Sequence, residues 1–185
     1  LCLQLRRTII HPKLVTGLKI WHLREKTQFY PKRNFEAAVR SIPAKSRVVF
    51  TFGEIDCREG LLLGSDLVVI LPAVEKGKYE TVEQGIDGLV QLYVKTLEEL
   101  VKRKELEAFV HPIVPVIDVT RNMVKKFNAA LRPKVQASKS LKWLDFFDSL
   151  LNGDKFNMDY ALDGTHMSPG YVPLIERTIN QLKTK

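Results

Sequence analysis

Short apolar runs alternate along this chain with longer segments in which apolar residues recur every three or four positions. This alternation limits the possible folds more than any other feature, because it predicts strands and helices that follow one another in turn. Such an order favours a parallel sheet that is covered by helices on both faces. We therefore predict a single α/β domain over residues 1–185, a three-layer α/β/α sandwich with about five parallel strands.

Proline, glycine and capping residues bound the predicted elements. The predicted strands are Leu18–Leu23, Arg47–Phe52, Phe109–Val116 and Leu141–Phe147. Arg47–Phe52 is rich in β-branched and aromatic residues, as strands usually are. The predicted helices are Phe35–Ile42 after a cap at Asn34, residues 81–104 after a Thr81-Val-Glu-Gln84 capping box, Thr120–Leu131, and Tyr171–Leu182 after a cap at Ser168. Leu67–Leu71 fits either a strand or a buried helical turn, because so short a run cannot separate the two periods.

Positive charge is concentrated near the start of the chain. Residues 1–47 contain eleven lysines and arginines and two acidic residues, whereas residues 48–185 are almost neutral. Such a segment can attract an anionic partner or an acidic protein face, or it can be ordinary solvated surface. Nucleic acid is a weaker alternative, because the segment carries aromatic residues but no nucleic-acid-binding motif.

Composition also argues against several classes of protein. No run reaches the roughly 18 apolar residues that a membrane-spanning helix needs. Two cysteines, Cys2 and Cys57, make no disulfide framework, which favours a soluble protein of a reducing compartment, the cytoplasm or an organelle interior. The four histidines lack metal-ligand spacing and no glycine-rich nucleotide loop occurs, so we expect neither a metal nor a cofactor.

Two polar segments lie where a parallel sheet collects its functional residues, beyond the carboxyl ends of strands. Gly53-Glu-Ile-Asp56-Cys-Arg58 follows the strand Arg47–Phe52, and its Asp56 and Arg58 could pair and hold a turn. Asp163-Gly-Thr-His166 precedes the last helix. Its spacing lets Asp163 accept from one imidazole nitrogen while the other nitrogen serves as a general base. Each segment also has a purely structural interpretation. The first would be a turn that an Asp56–Arg58 ion pair holds, and the second would be a loop in which His166 only caps or hydrogen-bonds.

Together these segments resemble the SGNH (GDSL-type) hydrolases, which are esterases and acyl hydrolases of flavodoxin-like α/β/α architecture. Gly53-Glu-Ile-Asp56 resembles that family's Gly-x-Asn-Asp block, and Asp163-Gly-Thr-His166 resembles its Asp-x-x-His block, over roughly residues 14–183. The resemblance implies hydrolysis of an ester or acyl group on a carbohydrate or lipid. The roles that it implies are His166 as general base, Asp163 as its orienting acid, Gly17 as an oxyanion donor, and Gly53 and Asp56 as the floor of the site.

The chain departs from that family's pattern in two ways. The nucleophilic serine of the family lies in a Gly-Asp-Ser segment ahead of the block that Gly17 resembles, and no such segment occurs here. We therefore expect the first strand and its serine upstream of Leu1. Ile55 stands where the family has an asparagine whose amide donates to the oxyanion, and the loss of one such donor typically costs about 2.7–4 kcal/mol of barrier.

Other nucleophiles within the chain are weaker candidates. Ser65 lies in Gly64-Ser65-Asp66, where the letters stand in another order and after the wrong block, and Cys57 is more simply a small buried residue. If no nucleophile exists, the alternative is a non-catalytic SGNH-like subunit of a larger assembly that docks through residues 1–47.

Overall fold

The structure is a computed structural model that describes residues 3–5, 8–61, 79 and 81–183. Its strands are β1 (Leu3–Leu5), β2 (Thr8–Ile10), β3 (Arg47–Phe50), β4 (Glu107–Val110), β5 (Leu141–Trp143), β6 (Leu151–Asn152) and β7 (Lys155–Phe156). Its α-helices are α1 (Tyr30–Arg40), α2 (Val82–Lys104), α3 (Arg121–Ala137) and α4 (Val172–Lys183). Short 3-10 turns lie at Ile20–Leu23, Asp118–Thr120, Phe147–Leu150, Met158–Tyr160 and Pro169–Tyr171, and a π-helical turn lies at Asp56–Leu61.

The strands β3, β4 and β5 form a parallel sheet with β4 in the centre. Phe50 lies opposite Val110, and Val110 lies opposite Trp143 on the other side. The helices α2 and α3 make the connections between these parallel strands, as parallel pairing requires. The α/β class is thus confirmed, with three parallel strands in the described part of the chain where about five were predicted. Leu67–Leu71 lies outside the described residues.

Helices cover both faces of this sheet. Phe50, Val110 and Trp143 point to one face, where they pack in one apolar cluster with α2 and α3. Phe109 alternates with them and points to the other face, where it packs with Ile175 and Ile179 of α4. This two-sided burial explains why the strands are mostly apolar, with one charged residue in each, Arg47, Glu107 and Lys142.

The helix α2 follows the sequence prediction closely. Thr81 is its N-cap, and the Thr81 hydroxyl accepts from the backbone N–H of Gln84 at 3.2 Å. One face of the helix, which includes Val90, Tyr93 and Leu97, is buried in the core. The cap and the apolar stripe are both local features, so the sequence alone locates the helix.

The predicted strand Leu18–Leu23 is wrong, because Ile20–Leu23 is a 3-10 turn. In a strand, the backbone N–H groups of Lys19 and Ile20 would donate to a neighbouring strand, but here they have other acceptors. The Lys19 N–H donates to Nδ1 of His22 at 3.0 Å, and the Ile20 N–H donates to Asp56. The turn rather than a strand therefore satisfies this part of the backbone.

The helix α1 begins five residues earlier than predicted, at Tyr30 instead of Phe35. Pro31 fits the first turn, where a helix has no use for the missing N–H. Asn34 therefore lies inside the helix and does not cap it.

Other boundaries also differ, and β3 ends at Phe50, two residues before its predicted end. The strands β4 and β5 end earlier than predicted, since Pro112 offers no N–H to a ladder and the chain turns at Phe147. The helix α3 runs through Pro133 to Ala137, beyond the predicted end at Leu131, and Val135 buries its last turn.

Candidate active site

Asp163 and His166 form a closed turn that one carboxylate holds together. Its Oδ1 accepts the backbone N–H groups of Thr165 and His166, each at 2.7 Å. Its Oδ2 lies 2.8 Å from Nδ1 of the His166 ring. The predicted pairing of these two side chains is therefore present, and the same carboxylate also fixes the backbone that carries the ring.

These hydrogen bonds set the charge and the tautomer of the pair. The bond to the His166 ring, followed by the two backbone N–H bonds, lowers the pKa of Asp163 to about 2, so this carboxylate is ionised at neutral pH. An ionised carboxylate only accepts, so Nδ1 carries the proton and Nε2 of the neutral ring has a free lone pair. The His166 side chain is 71% exposed, which leaves the ring accessible to a substrate.

A short hairpin-like segment supports this turn. The Leu162 N–H donates to the carbonyl of His166 at 2.9 Å, and Ala161 pairs with Met167 across the turn. The Ser168 hydroxyl then accepts from the Gly170 N–H at 3.3 Å and starts the 3-10 turn that leads into α4. The predicted cap at Ser168 is thus confirmed, although it caps the turn that precedes the helix.

His111 connects this segment to the sheet. It follows the last residue of β4, and its N–H donates to the carbonyl of Phe50, the last residue of β3, at 2.9 Å. The His111 ring packs edge-on against Tyr171, with the centroids 5.6 Å apart, and against Phe146 at 4.9 Å. The residues after the Asp163–His166 turn therefore rest on the carboxyl edge of the sheet, where the loop after β3 also begins.

The loop after β3 contacts the segment that contains Gly17. The buried Asp56 carboxylate accepts the Ile20 N–H, at 2.8 Å to Oδ2 and 3.1 Å to Oδ1. Gly53 has φ +111°, and a Cβ built there would lie 3.1 Å from Cγ1 of Ile113 and 3.4 Å from Cδ1 of Ile20. Gly17 has φ +71°. The fold therefore brings Gly53 and Asp56 against the segment that follows Gly17.

Asp56 clamps these two loops together. Burial raises its pKa to about 6, although the backbone N–H groups of Ile20 and Trp21 act in the opposite direction. The predicted Asp56–Arg58 pair is not the arrangement found. The Asp56 carboxylate accepts the Ile20 N–H. The Arg58 Nε donates to Oε1 of Glu54, one helical turn earlier, at 3.1 Å.

The structure argues against Cys57 as a nucleophile. It also shows that Ile55 brings no hydrogen-bond donor to the loop after β3. Cys57 is fully buried, and burial together with the nearby Asp56 and Glu54 carboxylates raises the pKa of its thiol. Ile55 is partly buried and offers only hydrocarbon. Ser65 lies outside the described residues.

The candidate residues thus form two groups. One is the Asp163–His166 pair, and the other is Gly53 and Asp56 packed against the Gly17 segment. His111 lies between the sheet and the first group, and sequence reasoning missed it. The sequence placed His111 inside the predicted strand Phe109–Val116, and only the end of β4 at Val110 puts it at the carboxyl edge of the sheet, where side chains are often functional.

In the part of the chain that the structure describes, no helix has the length and apolar character to cross a membrane. Nor do His, Cys, Asp and Glu side chains there gather in threes that could hold a metal ion.

Comparison with known proteins adds evidence on the fold. No protein-family model matches this chain, and no curated protein matches it. A solved structure from Streptococcus pneumoniae, described as a candidate platelet activating factor, is similar over 90% of this chain and 68% of its own, with a TM-score of 0.59 and 14% identity. The two chains share a fold. At this identity the similarity establishes the fold alone, in agreement with the α/β architecture described above.

Proposed function

We propose that this protein is a serine-type hydrolase of esters or acyl groups, of the SGNH type. The observation that carries the proposal is the 2.8 Å contact between Oδ2 of Asp163 and Nδ1 of His166, on a ring that is open to solvent. A histidine so oriented can take a proton at Nε2, and the ionised carboxylate stabilises the imidazolium that forms.

The proposed reaction has two halves. The nucleophile is the serine that the resemblance places in a Gly-Asp-Ser segment ahead of the Gly17 block. His166 Nε2 takes its proton as the serine oxygen attacks the ester carbonyl, and the imidazolium then gives that proton to the leaving alcohol. An acyl-enzyme remains. Water attacks it in the second half, with His166 again taking a proton and returning it to the serine oxygen, which releases the acid.

The oxyanion of each tetrahedral intermediate requires donors. We assign one to the backbone N–H of Gly17, whose segment is fixed by the bond between Asp56 and Ile20. Ile55 offers no second donor at the position where the family has asparagine. A missing donor lowers the rate by roughly a hundredfold or more, so we expect slow turnover.

A lipid ester is the proposed substrate class, in preference to a carbohydrate ester. The support comes from the exposed apolar side chains Leu14, Phe29 and Tyr30 on the segments around Gly17, which suit an acyl chain better than a sugar.

Two assays test the proposal, labelling with a fluorophosphonate and hydrolysis of p-nitrophenyl acetate. The unmodified protein should become labelled on a serine that peptide mass spectrometry locates, and His166→Ala should lose both labelling and hydrolysis. His11→Ala is the matched control, because His11 is exposed and remote from the Asp163 turn in sequence. If His166→Ala and His11→Ala react at equal rates, the proposal is wrong.

A second candidate is a non-catalytic SGNH-like subunit that docks through residues 1–47. The replacement of the amide donor by Ile55 favours it. It predicts no fluorophosphonate labelling and a stable complex of higher mass in native mass spectrometry, whereas a labelled monomer would contradict it.

A further inference from the structure

A patch of exposed apolar and basic side chains borders Gly17. Its apolar members are Leu14, Phe29 and Tyr30, which are 86%, 52% and 63% exposed. Its basic members are exposed residues that lie close to these in the sequence, Lys13, Lys26 and Arg33. We call these six residues the loop patch. Large apolar side chains exposed together are uncommon on a protein surface that meets only water.

Contacts within the fold hold the aromatic members of the loop patch beside the segment that contains Gly17. The Tyr30 hydroxyl lies 3.4 Å from where a Cβ of Gly17 would be, and Leu14 is three residues before Gly17. The Phe29 ring packs edge-on against Trp21, with the centroids 5.4 Å apart. The start of α1, which carries Tyr30 and Arg33, therefore lies beside Gly17, and Lys13 and Leu14 precede Gly17 closely in the chain.

The basic members of the patch have no salt bridge to any residue that the structure describes, unlike other cations of the basic segment. Lys45 pairs with Glu105 at 3.5 Å, and Arg47 pairs with Glu107 at 2.7 Å. The Lys32 ammonium caps the carbonyl of Arg24 at 2.6 Å. Within the described part of the chain, the charges of Lys13, Lys26 and Arg33 are thus available to a partner.

We propose that the loop patch binds the surface of an anionic lipid membrane. Lysine and arginine attract anionic headgroups, while leucine and aromatic side chains insert at the boundary between headgroups and acyl chains. Leu14 favours this partner over nucleic acid, because an aliphatic side chain neither stacks on bases nor pairs with phosphate. The proposal deepens the proposed function and rests on it for the identity of the substrate, since Gly17 would then face a lipid ester held in the same surface.

Vesicle binding tests this proposal without requiring turnover. We expect sedimentation of the protein with vesicles of phosphatidylcholine and phosphatidylglycerol, but not with phosphatidylcholine alone, and release by high salt. The fluorescence of Trp21 should shift to the blue on binding, because its neighbour Phe29 enters the lipid. The variant His166→Ala should bind as the unmodified protein does, so a failure of the hydrolase proposal would not hide a correct result here.

Matched variants make the test specific to the loop patch. Phe29→Ser should weaken binding roughly tenfold, while Met158→Ser, which removes a side chain that is 71% exposed elsewhere, should have no effect. Lys26→Gln should weaken it about fivefold, while Lys155→Gln, an exposed lysine on β7, should change it little. Circular dichroism confirms that each variant is folded.

Three outcomes would overturn the proposal. They are equal binding to neutral and anionic vesicles, patch variants that bind as their controls do, and no vesicle binding at all. Binding to a labelled oligouridylate in the absence of vesicle binding would assign the patch to nucleic acid, and capture of an acidic protein alone would assign it to a protein partner.

Discussion

The Asp56 carboxylate accepts the backbone N–H of Ile20 at 2.8 Å, although 36 positions separate the two residues. This bond fixes the segment after Gly17 against the loop after β3. It also places an acidic group where almost no water reaches it, with a pKa raised to about 6. The clamp between the two loops therefore depends on pH.

We expect Asp56→Asn to change how stability varies with pH. Burial raises the pKa of Asp56 from 3.8 to about 6, so the folded protein binds more protons than the unfolded chain between these values. Its contribution to the free energy of unfolding therefore falls as pH rises from about 4 to about 6, by about 3 kcal/mol. Urea unfolding measures the free energy of unfolding of both proteins at pH 4 and pH 6.5. The value for the unmodified protein minus that for Asp56→Asn should be smaller at pH 6.5 by this amount. Parallel pH curves for the two proteins would contradict it.

His111 should act in the opposite direction. Burial lowers its pKa from 6.5 to about 4, against the effect of the hydrogen bond to the Pro112 carbonyl. The unfolded chain then binds more protons between these values, so stability is lost as pH falls from about 6.5 to about 4, again by about 3 kcal/mol. His111→Phe keeps a ring against Phe146 and Tyr171 and removes this titration.

The two titrations nearly cancel in the unmodified protein, so single variants are needed to separate them. His111→Phe should become less stable from pH 4 to pH 6.5, and Asp56→Asn should become more stable over the same range. Asp56→Asn/His111→Phe together should restore a nearly flat curve. If the two single variants change with pH in the same direction, one of the assigned pKa shifts has the wrong sign.

Alanine substitutions at three glycines distinguish the free-energy cost of backbone strain from the cost of a steric clash. Gly53→Ala places a Cβ against Ile113 at φ +111°, and should cost about 3 kcal/mol or more. Gly153→Ala has φ +62° but open space, and should cost about 1 kcal/mol. Gly164 has neither a positive φ nor an atom close to the position of a new Cβ, so Gly164→Ala should leave the free energy of unfolding almost unchanged. Chemical unfolding measures all three, and a loss for Gly53→Ala no larger than that for Gly153→Ala would show that Ile113 yields to the new methyl group.

Local patterns predicted the parts of the fold that local contacts determine. The Thr81 cap, the buried stripe of α2 and the pairing of Asp163 with His166 each involve residues within one or two helical turns. The turn at Ile20–Leu23 escaped prediction because its acceptor, Asp56, is remote in sequence and no hydropathy pattern records such a bond. The strand expected at Leu18–Leu23 is therefore replaced by a turn that a tertiary contact holds.

The same distinction applies to the candidate site. The Asp-x-x-His spacing is enough to predict a side-chain pair, since both groups lie on one tight turn. The role of His111 is different, because its contacts with Tyr171 and Phe146 join segments that are far apart along the chain. A single histidine beside Pro112 gave no pattern from which those contacts could be predicted.

The pKa of Asp163 tests the geometry of the pair independently of any activity. The His166 ring is the largest cause of the lowered value of about 2, followed by the N–H groups of Thr165 and His166. In His166→Ala the two backbone donors remain, so the pKa should rise from about 2 towards 3.8 without reaching it. Carboxyl carbon NMR shifts recorded against pH measure this value directly.

His11→Ala supplies the control, in which the pKa of Asp163 should not move. A value that stays at about 2 in His166→Ala would mean that the backbone donors alone hold the carboxylate, and the ring would then not be oriented by it. With the pKa at about 2 in the unmodified protein, Asp163 stays ionised as pH falls well below neutral. Any loss of hydrolysis between pH 4 and pH 7 must therefore come from protonation of a group other than Asp163.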